Sequence, residues 1–305
     1  MNFNQLRIFY SVAKNNSVTL AAKELLLTQP AVSIQIHLLE DDYGVKLFNR
    51  SGKGISTTEE GNLLFSYAEK ILNLSYETDE ALRQIKSLER GKVKIGSGRT
   101  IGAYYLPQLF ESFTLKYPNI GIQMDIGSSH DVIEGILSFR NDIGFIGTDY
   151  FNKYLRIIPF TKDRLVLIIP PDHELTHKKV ISFNDLSGQK MIMREKGSGT
   201  RELIENELIK RKVSTETIMA LGSNEAIKYA VEAGLGISII SNNVIKREKD
   251  QGRVRILHFS NNQDIIMNIY IIYHKDKYLS DLLKTFLRVA SKFSNRLPET
   301  FNLCH

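Results

Sequence analysis

The chain has 305 residues, 42% of them hydrophobic, and a single cysteine, Cys304, which excludes an internal disulfide framework and points to a reducing, cytoplasmic compartment. The opening "MNFNQLRIFYSVAKNN" lacks the basic start and apolar core of a secretory signal, and no apolar run approaches the roughly 20 residues needed to span a bilayer. The net charge of +6 does not by itself mark the N-terminal region for nucleic acid, because residues 1–90 carry ten basic and eleven acidic side chains.

From Asn4 to Lys14, the residues Leu6, Phe9, Tyr10 and Ala13 fall on one helical stripe. Ser17 is a good N-cap for a second helix, "SVTLAAKELL", with Leu20, Ala21 and Leu25 inward. Thr28 caps a third helix, where Pro30 is tolerated because a first-turn amide has no partner to lose. Val32, Ile36 and Leu39 form its buried face. Gln29, Ser33, Gln35 and His37 point away from it, beside Ile34, and Gly44 ends the helix. In "VKLFNRSGKGISTTEEG", two short extended pieces flank a Ser-Gly-Lys-Gly turn. This is a hairpin wing with Arg50 and Lys53 near its tip.

Two helices joined by a short turn, the second one polar outside, predict a helix-turn-helix whose second helix enters the major groove of DNA. Gln offers adenine a donor and an acceptor, Ser reads either partner, and Ile34 suits a thymine methyl. Pro30 frees the helix start for close approach to a phosphate. The blander alternative is an amphipathic surface helix. A long helix follows from Thr58 to about Leu88, with Glu59 and Glu60 at its positive end. Leu64, Ile71, Thr78 and Ile85 form one stripe and Tyr67, Leu74, Ala81 and Leu88 a second, at a and d of one heptad register. A strict seven-residue repeat over this length predicts a dimerisation seam, and Gly91 stops the helix.

The remainder alternates strands and helices: "KVKIGSG", "TIGAYYLPQLFESFTLKYP" capped by Thr100, "IGIQMDIGSS", "HDVIEGILSF", "NDIGFIGTD", "RLVLIIPP", "QKMIMRE", "GTRELIENELIKRK", "TIMALG", "NEAIKYAVEAG", "LGISIIS", "VRILHF" and "DIIMNIYIIYHK", then a helix from Ser280 to Arg296. Such alternation predicts α/β architecture with parallel sheets and outer helices.

The combination of "SVTLAAKEL", "LTQPAVS", "LE" and "GVKLFNR" at these spacings resembles the LysR-type transcriptional regulators, and the resemblance extends over the whole chain. It implies a winged helix-turn-helix at 1–57, a dimerising linker helix at 58–90 and an effector-binding domain at 91–305. The last resembles periplasmic binding proteins, with subdomain I at 92–161 and 267–305 and subdomain II inserted at 162–266. The implied partners are double-stranded promoter DNA, a small-molecule effector and further copies of the chain, as homodimer or homotetramer. No membrane, cofactor or catalytic residue is implied. By position, Gln29, Pro30 and Ser33 match the DNA-facing start of the recognition helix, and Arg50 the wing arginine. The chain departs from the pattern at His37, where a basic residue is common, and at Thr57, where Leu is common.

Three Gly/Ser/Thr-rich turns stand where strands run into helices. In "GSGRTIG", Ile101 replaces the third glycine of a dinucleotide fingerprint, which argues against a nucleotide. The free amides there, with Arg99 and the Thr100 hydroxyl, instead make an anion-binding corner. "GSSHD" supplies Ser128 and Ser129. "KGSGTR" supplies Gly197, Ser198, Gly199, Thr200 and Arg201, the arginine able to clamp a carboxylate. Each alone reads as a plain cap. Three at strand ends in two subdomains predict one cleft for a small anionic metabolite. "HELTH", His173 to His177, matches a zinc-hydrolase string, but it follows a double proline and no third ligand stands out, so a loop at the sheet rim is expected and no metal. The alternative to a regulator is a small-molecule binding protein or enzyme whose N-terminal helices serve assembly only.

Overall fold

The computed structural model describes residues 1–51, 54–84, 91–245, 252–260 and 263–294. The chain divides into two compact units, Met1–Leu82 with Ser138–Arg140 and Arg83–Leu137 with Asn141–His305.

In the first unit, α1 (Phe3–Asn15), α2 (Val18–Leu25) and α3 (Gln29–Tyr43) precede a hairpin of β1 (Phe48–Ser51) and β2 (Gly54–Thr57), then α4 (Glu59–Gln84). The boundaries follow from caps. Asn2 and Gln5 form a reciprocal capping box on α1, Ser17 accepts from Leu20 N at 3.2 Å, and Thr28 accepts from Ala31 N at 3.4 Å. Gly44 closes α3 at φ +64°, a left-handed geometry that glycine adopts without Cβ strain. Phe9, Val12, Ala21, Val32, Ile36, Leu39, Leu47 and Phe48 make the core, with the Phe9 and Phe48 rings 5.3 Å apart. Leu20 does not join it. That residue is 51% exposed, and Ala21 and Ala22 face inward, because a helix of only eight residues packs close through its small side chains.

Glu40 ties α3 to the hairpin. Its carboxylate accepts from the Leu47 amide at 2.8 Å, the Phe48 amide at 3.4 Å and the Lys46 ammonium at 3.0 Å. Burial raises the Glu40 pKa, but these donors outweigh it and hold the carboxyl below its usual range. Thr58 caps α4 through Gly61 N at 2.9 Å. Leu64, Phe65 and Ala68 then pack on the same core.

The second unit opens with β3 (Gly91–Gly98), α5 (Arg99–Tyr104), α6 (Leu106–Thr114), β4 (Ile120–Gly127), α7 (Ser129–Leu137) and β5 (Ile143–Ile146). The single helix expected after β3 is two, because Pro107 cannot donate to the preceding turn and its ring crowds that turn's carbonyl. Next come β6 (Leu155–Ile169), β7 (Val180–Ile181), β8 (Lys190–Arg194), α8 (Gly199–Lys210), β9 (Glu216–Leu221), α9 (Asn224–Glu232) and β10 (Ser238–Ser241). β11 (Arg255–Phe259), β12 (Ile265–His274) and α10 (Asp281–Ser294) complete the described chain.

The sheet is mixed, not parallel as expected. Among the described residues, one eight-stranded sheet runs β4-β3-β5-β12-β6-β11-β7, with β10 also on β6, and β8-β9 form a separate pair. The β3 pairings with β4 and β5 are parallel, whereas β12 runs antiparallel to both β5 and β6. The 15-residue β6 alternates its faces. Leu165, Leu167 and Ile169 join one apolar cluster, and Val166 and Ile168 join another with Ile192, Ile227 and Ile240. In the first cluster the Phe113 and Phe286 rings meet edge to face at 5.0 Å. No helix among the described residues is long and apolar enough to cross a membrane.

Candidate functional sites

On α3, buried Val32, Ile36 and Leu39, with Glu40, set the rotation of the helix. Gln29, Pro30, Ile34 and His37 are exposed, and Ser33 and Gln35 are half-buried. Gln29 and Pro30 occupy the first turn, directly after the Thr28 cap. His37 Nδ1 lies 3.5 Å from the Glu40 carboxylate. The hairpin forms as expected, with Arg50 paired to Ile55 in the ladder. The Arg50 side chain and Lys53 lie outside the described residues.

The heptad stripe of α4 is partly corrected. Leu64 packs against the helical core instead of a seam, because the first turns of α4 complete that core. Tyr67, Ile71 and Leu74 are exposed, as are Leu63 and Leu82, which the heptad reading missed. Thr78 is exposed with its hydroxyl turned to the Leu74 carbonyl at 2.8 Å, and Ala81 is half-buried. Ile85 and Leu88 lie outside the described residues.

The three turns of the second unit do meet. A cavity of about 30 Å³ is lined by Arg99, Thr100, Ser128, Ser129, Ser198, Gly199 and Thr200, together with Gly147, Arg194, Glu195 and Met267. A polar recess of about 110 Å³ adjoins it and shares Gly147, Gly199 and Met267. Gly199 is required by close approach: a Cβ there would stand 3.0 Å from the Gly147 carbonyl and 3.2 Å from Ser129 Oγ. Gly197, at φ +85°, makes the turn into α8, and the nearest atom to a Cβ there would be Ser128 Cβ at 3.9 Å.

Two expectations fail at this site. Thr100 does not cap its helix, since Gly98 is the N-cap residue. Thr100 is buried, and its hydroxyl accepts from Asn224 Nδ2 at 3.1 Å and Arg194 Nη1 at 3.3 Å. Both lone pairs are spent, so its remaining proton can only be donated. Arg201 does not line the cavity. It donates to Glu205 at 2.7 Å and to the Arg194 carbonyl at 2.9 Å, which holds it against α8. Ser128 is a true cap. Its hydroxyl donates to Asp131 at 2.7 Å and accepts from the Asp131 amide at 3.2 Å. That hydroxyl, with the Ser128 amide, holds the Asp131 carboxyl below its usual range. By contrast, Ser198 makes no side-chain cap bond, so the first amides of α8 open beside the cavity.

The principal omission is Arg194, 3% exposed at the end of β8. Its Nε and Nη2 reach Glu195 at 2.8 and 3.0 Å, and its Nη1 reaches Asn224 Oδ1 at 3.1 Å. Arg99 Nε adds a 3.2 Å bond to Glu195. Nearby, burial raises the Glu225 pKa, but the Tyr104 hydroxyl, Lys228 and Arg194 more than offset it. The "HELTH" string forms a 3₁₀ turn over Glu174–His177, outside any α-helix. His173 Nδ1 accepts from Leu175 N at 3.2 Å, and Glu174 accepts from Gln189 at 2.7 Å.

Two family models match the chain: "Bacterial regulatory helix-turn-helix protein, lysR family" over residues 3–62 and "LysR substrate binding domain" over residues 86–293. The RuBisCO operon transcriptional regulator of Allochromatium vinosum is 35% identical over 286 residues, covering 94% of each chain. The full-length regulator CbnR, solved with its target DNA, superposes with a TM-score of 0.73 at 21% identity, covering 96% of this chain and 100% of that one. The CcmR regulatory domain of Synechocystis PCC6803, solved in complex with 2-PG, is 29% identical with a TM-score of 0.63, covering 68% of this chain and 99% of that one.

Proposed function

As a member of the LysR family, the chain is a DNA-binding transcriptional regulator with an effector-binding domain and not an enzyme, and we propose that a small anion held in the cleft between its two α/β subdomains modulates promoter binding. The observation that carries the anion is the Thr100 hydroxyl. With both lone pairs occupied, it has only its proton to offer, which suits a ligand acceptor, and the open amides of α8 favour negative charge there. The complex of CcmR with 2-PG favours a ligand in the same kind of domain. Arg99, Thr100, Ser129, Ser198, Gly199 and Thr200 face the ligand, together with Arg194.

On the DNA side, the reading surface comprises Gln29, Pro30, Ser33, Ile34, Gln35 and His37, flanked by Arg50 and Lys53 of the hairpin tip. Two copies join along Tyr67, Ile71, Leu74, Thr78 and Ala81 of α4. The boundaries are 1–57, 58–90 and 91–305, with subdomains meeting near 161/162 and 266/267. The ligand then acts by favouring one DNA-engaged geometry over another.

Thr100→Val keeps the shape, removes the donor and also takes away the acceptor of Asn224 Nδ2 and Arg194 Nη1. Losing one hydrogen bond of about 1 kcal/mol weakens the effector by roughly fivefold to tenfold. A thermal-shift screen of small organic acids and inorganic oxyanions identifies the ligand. Titrating it against labelled promoter duplex, with wild-type protein and the Thr100→Val variant, then reads the loss. Equal titration curves for the two proteins refute the role.

A further inference from the structure

Resting on that cleft reading, we infer that Glu195 is an internal counter-ion that the effector must displace, and that the effector is therefore a dianionic oxyanion. Arg194 is nearly inaccessible, and each of its three nitrogens already has a partner: Nε and Nη2 with Glu195, Nη1 with Asn224 and Thr100. Arg99, the other guanidinium on the cavity wall, donates to Glu195 Oε1 as well. One carboxylate thus neutralises the two cations that line the site. Its own side chain is 25% exposed, so it can turn out to water, whereas Arg194, at 3%, cannot follow it.

The charge balance then selects the ligand. A monoanion that replaces Glu195 exchanges one negative charge for another and must also bear the cost of breaking the bidentate pair. A dianion gains a second unit of attraction from the same two guanidiniums. A tetrahedral or branched oxyanion also has acceptor oxygens left for the Thr100 hydroxyl and the α8 amides. Phosphate monoesters, sulfate-like ions and compact dicarboxylates share this chemistry. The cavity itself is about 30 Å³, and the departure of Glu195, one of its lining residues, enlarges it beside the adjoining recess of about 110 Å³.

Calorimetric titration of the full chain with inorganic phosphate at pH 8, where it is a dianion, tests this, with nitrate as the monoanion. Wild type binds phosphate and not nitrate. Glu195→Gln keeps the shape, drops the charge, tightens phosphate roughly tenfold and admits nitrate. Glu195→Asp, which shortens the carboxylate and loosens its grip, falls between the two and serves if Glu195→Gln does not fold. Adding Thr100→Val weakens phosphate in either background. Phosphate affinity that Glu195→Gln leaves unchanged or lowers, while Thr100→Val still weakens it, overturns the counter-ion role and leaves the cleft standing. Indifference to Thr100→Val overturns the cleft itself. No heat with phosphate from either protein overturns the dianion assignment.

Discussion

Replacing both Gln29 and Ser33 with alanine leaves a folded protein that distinguishes its operator from unrelated DNA roughly a hundredfold less well. The helix survives because its start is held by the Thr28 cap and its rotation by Val32, Ile36 and Leu39, none of which is touched. The two lost side chains stand on the outer face of the first two turns, where a major-groove helix meets base edges. A bidentate base contact discriminates by about 1–3 kcal/mol, so losing one such contact and a weaker one lowers the operator-to-random affinity ratio roughly a hundredfold. Non-specific affinity and its salt slope stay as they were, because phosphate contacts come from other groups. Fluorescence anisotropy with operator and scrambled duplexes at one salt concentration measures the ratio. A ratio equal to wild type would show that α3 does not read bases.

The second large effect is expected at Glu40. Glu40→Ala strands the buried amides of Leu47 and Phe48, and each unsatisfied donor costs about 1–3 kcal/mol. The loss of roughly 2–6 kcal/mol falls on a unit with a small core, so the hairpin detaches from α3 and DNA binding fails. Glu40→Gln keeps one acceptor oxygen for the amides and loses only the charge toward Lys46, so its loss is smaller. The pH dependence has a definite sign. The folded carboxyl lies below its ordinary value of 4.5, so its contribution is complete above that value and disappears as pH falls through the folded pKa. Thermal melts from pH 7 to pH 3 should show wild type converging on Glu40→Gln at the acid end. Parallel curves would remove Glu40 from that role.

The parts legible in the sequence were those fixed by local chemistry. Thr28, Pro30 and Gly44 bracket α3 because caps and turns act within a few residues, and Val32, Ile36 and Leu39 repeat at the helical period. The three Gly/Ser/Thr turns were found for the same reason, each lying between a strand and a helix. What escaped was set by distant partners. Arg194 ends an apolar strand, "MIMR", and its burial depends on Thr100 and Asn224, 94 and 30 residues away. Only the charged pair Arg194-Glu195 directly before the Gly-rich turn hinted at it. Arg201 was misassigned although the sequence held the sign: Glu205 stands one helical turn later and takes its guanidinium. The β6 strand was read short because Pro159 and the pair Lys162-Asp163 interrupt its apolar run. Proline is accommodated there because the β12 pairing shifts register between Ile269 and Tyr270, opposite Thr161 and Pro159. The mixed sheet was invisible because strand direction is decided by pairing across the sequence.

That irregular ladder has a mechanical consequence. β6 and β12 pair from Leu155 to Leu165, close to the proposed subdomain boundaries, and the extra residue, Phe160, lies between the partners of Tyr270 and Ile269. A β-ladder is locally disrupted and more strongly twisted where a bulge interrupts its pairing. If a ligand drew the two proposed subdomains together, the twist between them would concentrate at residues 159–161 and 269–270, where the ladder is loosened, and what passed onward would be an angle.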